Sequence, residues 1–184
     1  MNKLNRTLVA VGALTAIVAL TAGVPTGRQL ARTQADSETA WHQIIQIQSG
    51  RIQNATLALD ATRPDDTAHA PLRRAARDAI ARAKAAGSDE KVLHDPTAIN
   101  TWKKSHGELT AALFMLVGGS TDTSQPATAP LERLRVELMQ EEEALAAARA
   151  RYSQASAEYA ATTNTVAGAT VATLLRYPDL PATL

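Results

Sequence analysis

Four histidines, His42, His69, His94 and His106, are the natural metal ligands of this chain, and there is no cysteine to join them. Metal sites inside helical bundles use Glu-x-x-His pairs projecting inward from facing helices. None of the four histidines has a Glu three residues before it. Glu38 and His42, and Glu90 and His94, stand four apart, a spacing that makes a surface ion pair on one helix face rather than a metal cradle. There is no H-E-x-x-H, no calcium loop and no G-x-S-x-G. Without Cys, thiol catalysis, disulfides, Cys-based zinc sites and lipid attachment to a cysteine are excluded. The sequence therefore reads as that of a protein that is not an enzyme, with no catalytic residue, no cofactor and no metal site.

The remaining chemistry-bearing groups are suited to binding. Trp41, Arg149, Tyr152 and Tyr159 form a candidate interaction surface. The two tyrosines are seven residues apart and so share one face of a helix. The competing reading makes them core or boundary residues whose hydroxyls reach polar partners, with Arg149 paired to a carboxylate. Arg73, Arg74, Arg77, Arg82 and Lys84 make another segment basic, by default a solvated face and alternatively one that meets a membrane surface. Glu141 is an oddity, a carboxylate in an apolar seam. It is expected to turn outward or to pair with an Arg of another helix rather than to act as a functional carboxylate.

The elements that must position these groups are helices. Hydrophobic residues make up 45% of the 184 but aromatics only 3%, so the apolar content is mostly small aliphatic side chains. These suit close helix packing better than a sheet, which favours β-branched and aromatic residues. No alternating strand pattern stands out. The formal net charge of +1 argues against nucleic acid as an obligate partner.

Helical spacing predicts a first helix from Arg28 to about Ala61, with Leu30, Trp41, Ile44, Ile45, Ile52, Leu57 and Leu59 as its larger apolar positions. The polar turn Thr62–Asp66 ends it. Pro71 opens a second helix that stops at Gly87, and Ser88–Asp95 is a connector. Asp95-Pro96 caps a third helix that ends at Gly118-Gly119. Pro130 opens a fourth, after a polar loop. In this helix, steps of three and four from Leu131 pass through Leu134, Leu138, Glu141, Leu145, Ala148, Tyr152, Ala155 and Tyr159. That is a two-in-seven seam for shallow-angle packing, and it breaks only at Glu141. Thr165–Tyr177 is apolar but too short to span a membrane. It is expected to dock on the bundle as a short helix, the alternative being that it lies against lipid.

The first residues carry an address. Lys3 and Arg6 precede Leu8–Val24, which holds no charge for 17 residues; Pro25 and Gly27 are expected to break the run. A spanning helix needs about 17–25 apolar residues, whereas a cleaved signal has a shorter core and a small-x-small exit, which Thr21-Ala22-Gly23 meets only loosely. The retained anchor is the reading taken here. The basic flank favours a cytoplasmic N-terminus with the bundle outside, although Arg28 and Arg32 weaken that bias.

Several of these residues resemble the LemA family of bacterial membrane-associated proteins. Glu137-Leu138, Glu141-Glu142, Leu145, Ala148-Arg149, Tyr152-Ser153 and Tyr159-Ala160 follow the spacing of that family's last bundle helix, and Gly168, Ala172 and Leu174 continue it. Ala40-Trp41 with Ile44 is similar to the family's A-W-x-x-I. The departures are definite: the family's D-L-I-P-N-L is replaced by Ile52-Gln53-Asn54-Ala55-Thr56-Leu57, and its two Asn after Tyr are Ser153 and Ala160. The match covers about a third of the chain. The resemblance implies a single N-terminal membrane helix carrying an elongated helical bundle.

The expectation is thus an all-α protein: an elongated, mostly antiparallel four-helix bundle with an N-terminal membrane helix and a short C-terminal helix. Residues 1–27 are the anchor, 28–177 the bundle and 178–184 a tail. The role read from this is a non-catalytic scaffold, or protein- or peptide-interaction domain, held at the bacterial inner membrane through Leu8–Val24. A small-ligand-binding sensor bundle is the alternative.

Overall fold

The computed structural model describes residues 3–62, 69–119 and 129–184, and in the first helix the side chains from Val24 onward; the side chain of Glu90 is left aside. The described residues form six helices: α1 (Lys3–Ala61), α2 (Ala70–Ala85), α3 (Glu90–His94), α4 (Pro96–Gly119), α5 (Ala129–Thr163) and α6 (Val166–Leu175). There is no strand among the described residues.

Cross-helix contacts fix the directions. Arg51 meets Glu141 and Gln43 meets Arg151, so α1 and α5 are antiparallel. Arg82 meets Glu108, and Gly119 lies against Leu72, so α2 and α4 are antiparallel too. Trp41 meets Trp102 and Arg51 meets Thr110, so α1 and α4 run the same way. The result is an up-down-up-down bundle, the topology that short connections between antiparallel neighbours produce.

Two apolar clusters fill it. At the far end, Ala55, Leu59, Ala76, Leu113, Leu131 and Leu138 are among the residues that pack together. Nearer the start of the bundle, Trp41, Ile44, Leu93, Trp102, Leu145 and Tyr152 form the second. The α5 seam is buried at every position from Leu131 to Tyr159 except Glu141. Leu57, expected among the packed positions of α1, is instead exposed.

The structure departs from expectation in two helices. α1 does not stop at Pro25 and Gly27 but continues through both, for 59 residues or about 90 Å at 1.5 Å per residue. A proline inside a helix removes one backbone hydrogen bond, a loss that the long helical stretches on both sides can tolerate. The connector Ser88–Asp95 contains a one-turn helix, α3, whose cap is the Asp89 side chain accepting from the Lys91 N–H. Its Val92 and Leu93 are buried against the Trp41 cluster.

Among the described residues no helix is long and apolar enough to cross a membrane. The expected anchor, Leu8–Val24, lies outside the described side chains apart from Val24 itself.

Candidate functional site

Three of the four residues read as an interaction surface are buried in the bundle. Trp41, Tyr152 and Tyr159 are each at most 4% exposed, which corrects the reading of them as a bare surface. They lie where α1, α4 and α5 converge, and the stretch Tyr177–Leu184 after α6 covers the tyrosines. The Tyr159 hydroxyl donates to the Pro178 carbonyl at 2.7 Å. The Tyr152 hydroxyl and the Ser156 hydroxyl both donate to the Pro181 carbonyl, at 2.9 and 2.8 Å. Lys103 Nζ of α4 donates to the Thr183 carbonyl at 3.1 Å, and Leu180 and Leu184 pack on the Trp41 cluster.

Pro178 and Pro181 have no N–H to leave unpaired against the groove. The groove holds the segment by its carbonyls, with hydroxyls and one ammonium as donors and two leucines as apolar anchors. Burial raises the Tyr152 phenol above its ordinary range, and burial followed by the negative charge of Asp179 raises Tyr159. Both therefore stay protonated as donors.

Beneath the groove the two indoles meet with centroids 4.8 Å apart and planes tilted by 60°, and Trp102 lies 4.4 Å from the His106 ring. His106 Nδ1 is 3.2 Å from Gln48 Oε1. Burial first, then the charges of Arg51 and Arg149, lower its pKa from 6.5 to about 4, so the ring is neutral at pH 7. Next comes Arg51, whose side chain is fully buried. It reaches Glu141 at 3.1 Å, Glu142 at 2.8 Å and the Thr110 hydroxyl at 2.8 Å. Asn54 donates to the other Glu141 oxygen at 3.1 Å. Glu141 thus pairs with an Arg of another helix, and this polar layer separates the two apolar clusters.

Arg149, the fourth candidate, is half-buried beside this layer. Its Nε has no hydrogen-bond partner, and no carboxylate among the described residues pairs with it, against the expectation of an ion pair. Among the described residues no group of three or more His, Asp or Glu is placed to hold a metal ion. A cavity of about 210 Å³ between α1, α2 and α4 is lined by Gln48, Lys84, Trp102 and His106 among others. The buried nitrogens Gln48 Nε2 and Trp102 Nε1 are closed off from solvent, so they offer that cavity no donor.

Sequence reasoning missed Lys103, Ser156, Leu180 and Leu184. The only signal for Leu180 and Leu184 was the pairing of Leu and Pro in "YPDLPATL", which has neither helical nor strand periodicity, whereas Ser156 stands one turn from Tyr152 on the same face of α5. Compared with protein-family models, curated proteins and solved structures, the chain matches none.

Proposed function

We propose that this chain is a non-catalytic, membrane-anchored bundle of the LemA type that binds extended peptide segments in the groove between α4 and α5. The observation that carries this reading is the seated stretch Tyr177–Leu184, whose carbonyls take hydrogen bonds from Tyr159, Tyr152, Ser156 and Lys103. Backbone carbonyl recognition with pockets for alternate side chains is how proteins bind extended peptides with modest sequence demands. In this reading the chain's own segment occupies the groove and a partner's segment competes for it. Leu8–Val24 holds the bundle at the bacterial inner membrane, with the bundle outside the cytoplasm. The uncharged run Leu8–Val24 behind Lys3 and Arg6 supports this reading.

The test uses the free peptide YPDLPATL, labelled with a fluorophore, and the chain truncated after Tyr177. Saturable binding to the truncated chain, much weaker binding to the full chain, and loss of binding in a Tyr152→Phe/Ser156→Ala background are expected. If truncation alone unfolds the bundle, the full chain carrying Leu180→Asp and Leu184→Asp replaces it. A folded, emptied groove that leaves the peptide unbound would sink the proposal. Membrane anchoring is read separately, as resistance to alkaline extraction that disappears when residues 1–27 are removed.

A further inference from the structure

We infer that α6 is a membrane-contacting element that lies in the lipid interface beside the point where α1 enters the bilayer; this rests on the reading of Leu8–Val24 as an anchor. The face of α6 away from the bundle consists of Val166, Ala169, Thr170, Thr173 and Leu174, a single helical stripe, with Leu175 next to it. Val166 is 88% exposed, Leu174 80% and Leu175 58%, in a helix whose only buried residue is Gly168. Large apolar side chains this bare stand at both ends of the stripe, about 12 Å apart along the axis, and no described residue covers them.

Three observations identify lipid as the cover. The first is position. The α1 backbone at Gly27 lies against Val171, at 3.8 Å from where a Cβ would stand. Gly27 is within one turn of Val24, the last residue of the uncharged run and itself 55% exposed. The bare face of α6 and the exit of that run are therefore at the same level. The second is satisfaction of polar groups. The Thr170 and Thr173 hydroxyls donate to the carbonyls of Val166 and Ala169, each at 2.8 Å, and the Thr165 hydroxyl accepts from the Gly168 N–H. No hydroxyl of the stripe needs water, which is the condition for lying in an apolar medium. The third is charge. From Tyr159 to Leu175 no side chain is charged, and the cations that follow or lie nearby on α1, Arg176 and Arg28, are exposed, with Arg32 one turn further on paired to Asp36. Arginines at such a rim reach headgroup phosphates while their stems stay among the acyl chains.

The chain has no Cys, so single cysteines label cleanly. Full-length protein with Leu174→Cys, and separately Asp78→Cys on the exposed side of α2 as the aqueous reference, is reconstituted into vesicles of phosphatidylcholine and phosphatidylglycerol. A fluorophore at each site is then quenched by nitroxides at graded lipid depths and by a water-soluble quencher. The label at 174 is expected at about 5–10 Å depth, the range of helices lying in the interface, and shielded from the aqueous quencher, with the label at 78 fully open to it. Flotation of the protein with the vesicles reports the anchor independently. Protein that floats while its label at 174 is as water-accessible as the label at 78 would overturn the lipid contact and leave the anchor standing. Protein that does not float overturns both. A label at 174 shielded equally in dilute detergent, with cross-linked pairs of chains, would assign the face to a second copy and also overturn it.

Discussion

Arg51 Nε stands 3.1 Å from Glu141 Oε2, joining α1, about three turns before its end, to the one charged position in the α5 seam. The arginine side chain is fully buried and the carboxylate is 17% exposed, so the two partners tolerate loss of the other differently. A stranded carboxylate can turn toward water, whereas a stranded buried guanidinium cannot. Glu141→Ala is therefore expected to cost about 2–3 kcal/mol, less than the ~3–5 kcal/mol of a fully broken buried pair because Glu142 remains. Arg51→Met should cost less than Glu141→Ala, since buried ion pairs are often replaced by apolar groups with little loss. Urea unfolding followed by Trp fluorescence measures both, because Trp41 and Trp102 are buried in one cluster. The reverse order would refute this account of the layer.

His106 makes the same layer sensitive to pH. The folded ring takes up a proton only near pH 4, against 6.5 for an unperturbed histidine. Between those values the unfolded chain binds more protons, so the contribution of the neutral ring is complete above pH 6.5 and is lost as pH falls toward 4. The full loss is roughly 3 kcal/mol at most, from about 1.4 kcal/mol per pKa unit. His106→Gln retains a polar partner for Gln48 but has no proton to take up. The difference in stability between wild type and His106→Gln should change with pH across this window and be flat above it. Chemical denaturation at a series of pH values checks this.

The seated segment depends on shared acceptors. Pro181 O accepts from both Tyr152 and Ser156, whereas Pro178 O accepts from Tyr159. Tyr152→Phe or Ser156→Ala alone should cost about 0.5–1 kcal/mol, and the double variant more than the sum, since only then is the carbonyl left without a donor. Tyr159→Phe removes the only donor found at Pro178 O among the described residues and should act like the double variant. Protease cleavage after α6, together with thermal unfolding, reads the release of the segment.

Two glycines should respond in opposite directions to Ala. At Gly168 a Cβ would overlap the Thr162 carbonyl oxygen and crowd the Thr165 hydroxyl that caps α6. Gly168→Ala should therefore displace α6 and destabilise by about 1–3 kcal/mol, in the range of overpacking. Gly107, inside α4, has nothing within 4 Å of a new Cβ, so Gly107→Ala should stabilise by about 0.5–1 kcal/mol through helix propensity alone. Thermal melts of the two variants decide it.

The sequence by itself determined the all-helical character of the chain and the packed face of the longest interhelical seam. Leu131, Leu134, Leu138, Leu145, Ala148 and Tyr152 repeat at a period that only one face of a helix satisfies, and that face is buried. Periodicity reports which residues turn inward; it carries no record of what they meet. That Glu141 faces Arg51, that Trp41 packs at a tilt against Trp102, and that Tyr152 and Tyr159 hold Pro181 and Pro178 were decided by tertiary structure. Each joins residues 19 to 90 positions apart, and at such separations local spacing says nothing of distance. The stretch Tyr177–Leu184 is the clearest case: it has too few residues for any repeat, and its place is set by the hydroxyls of Tyr152, Ser156 and Tyr159 on α5.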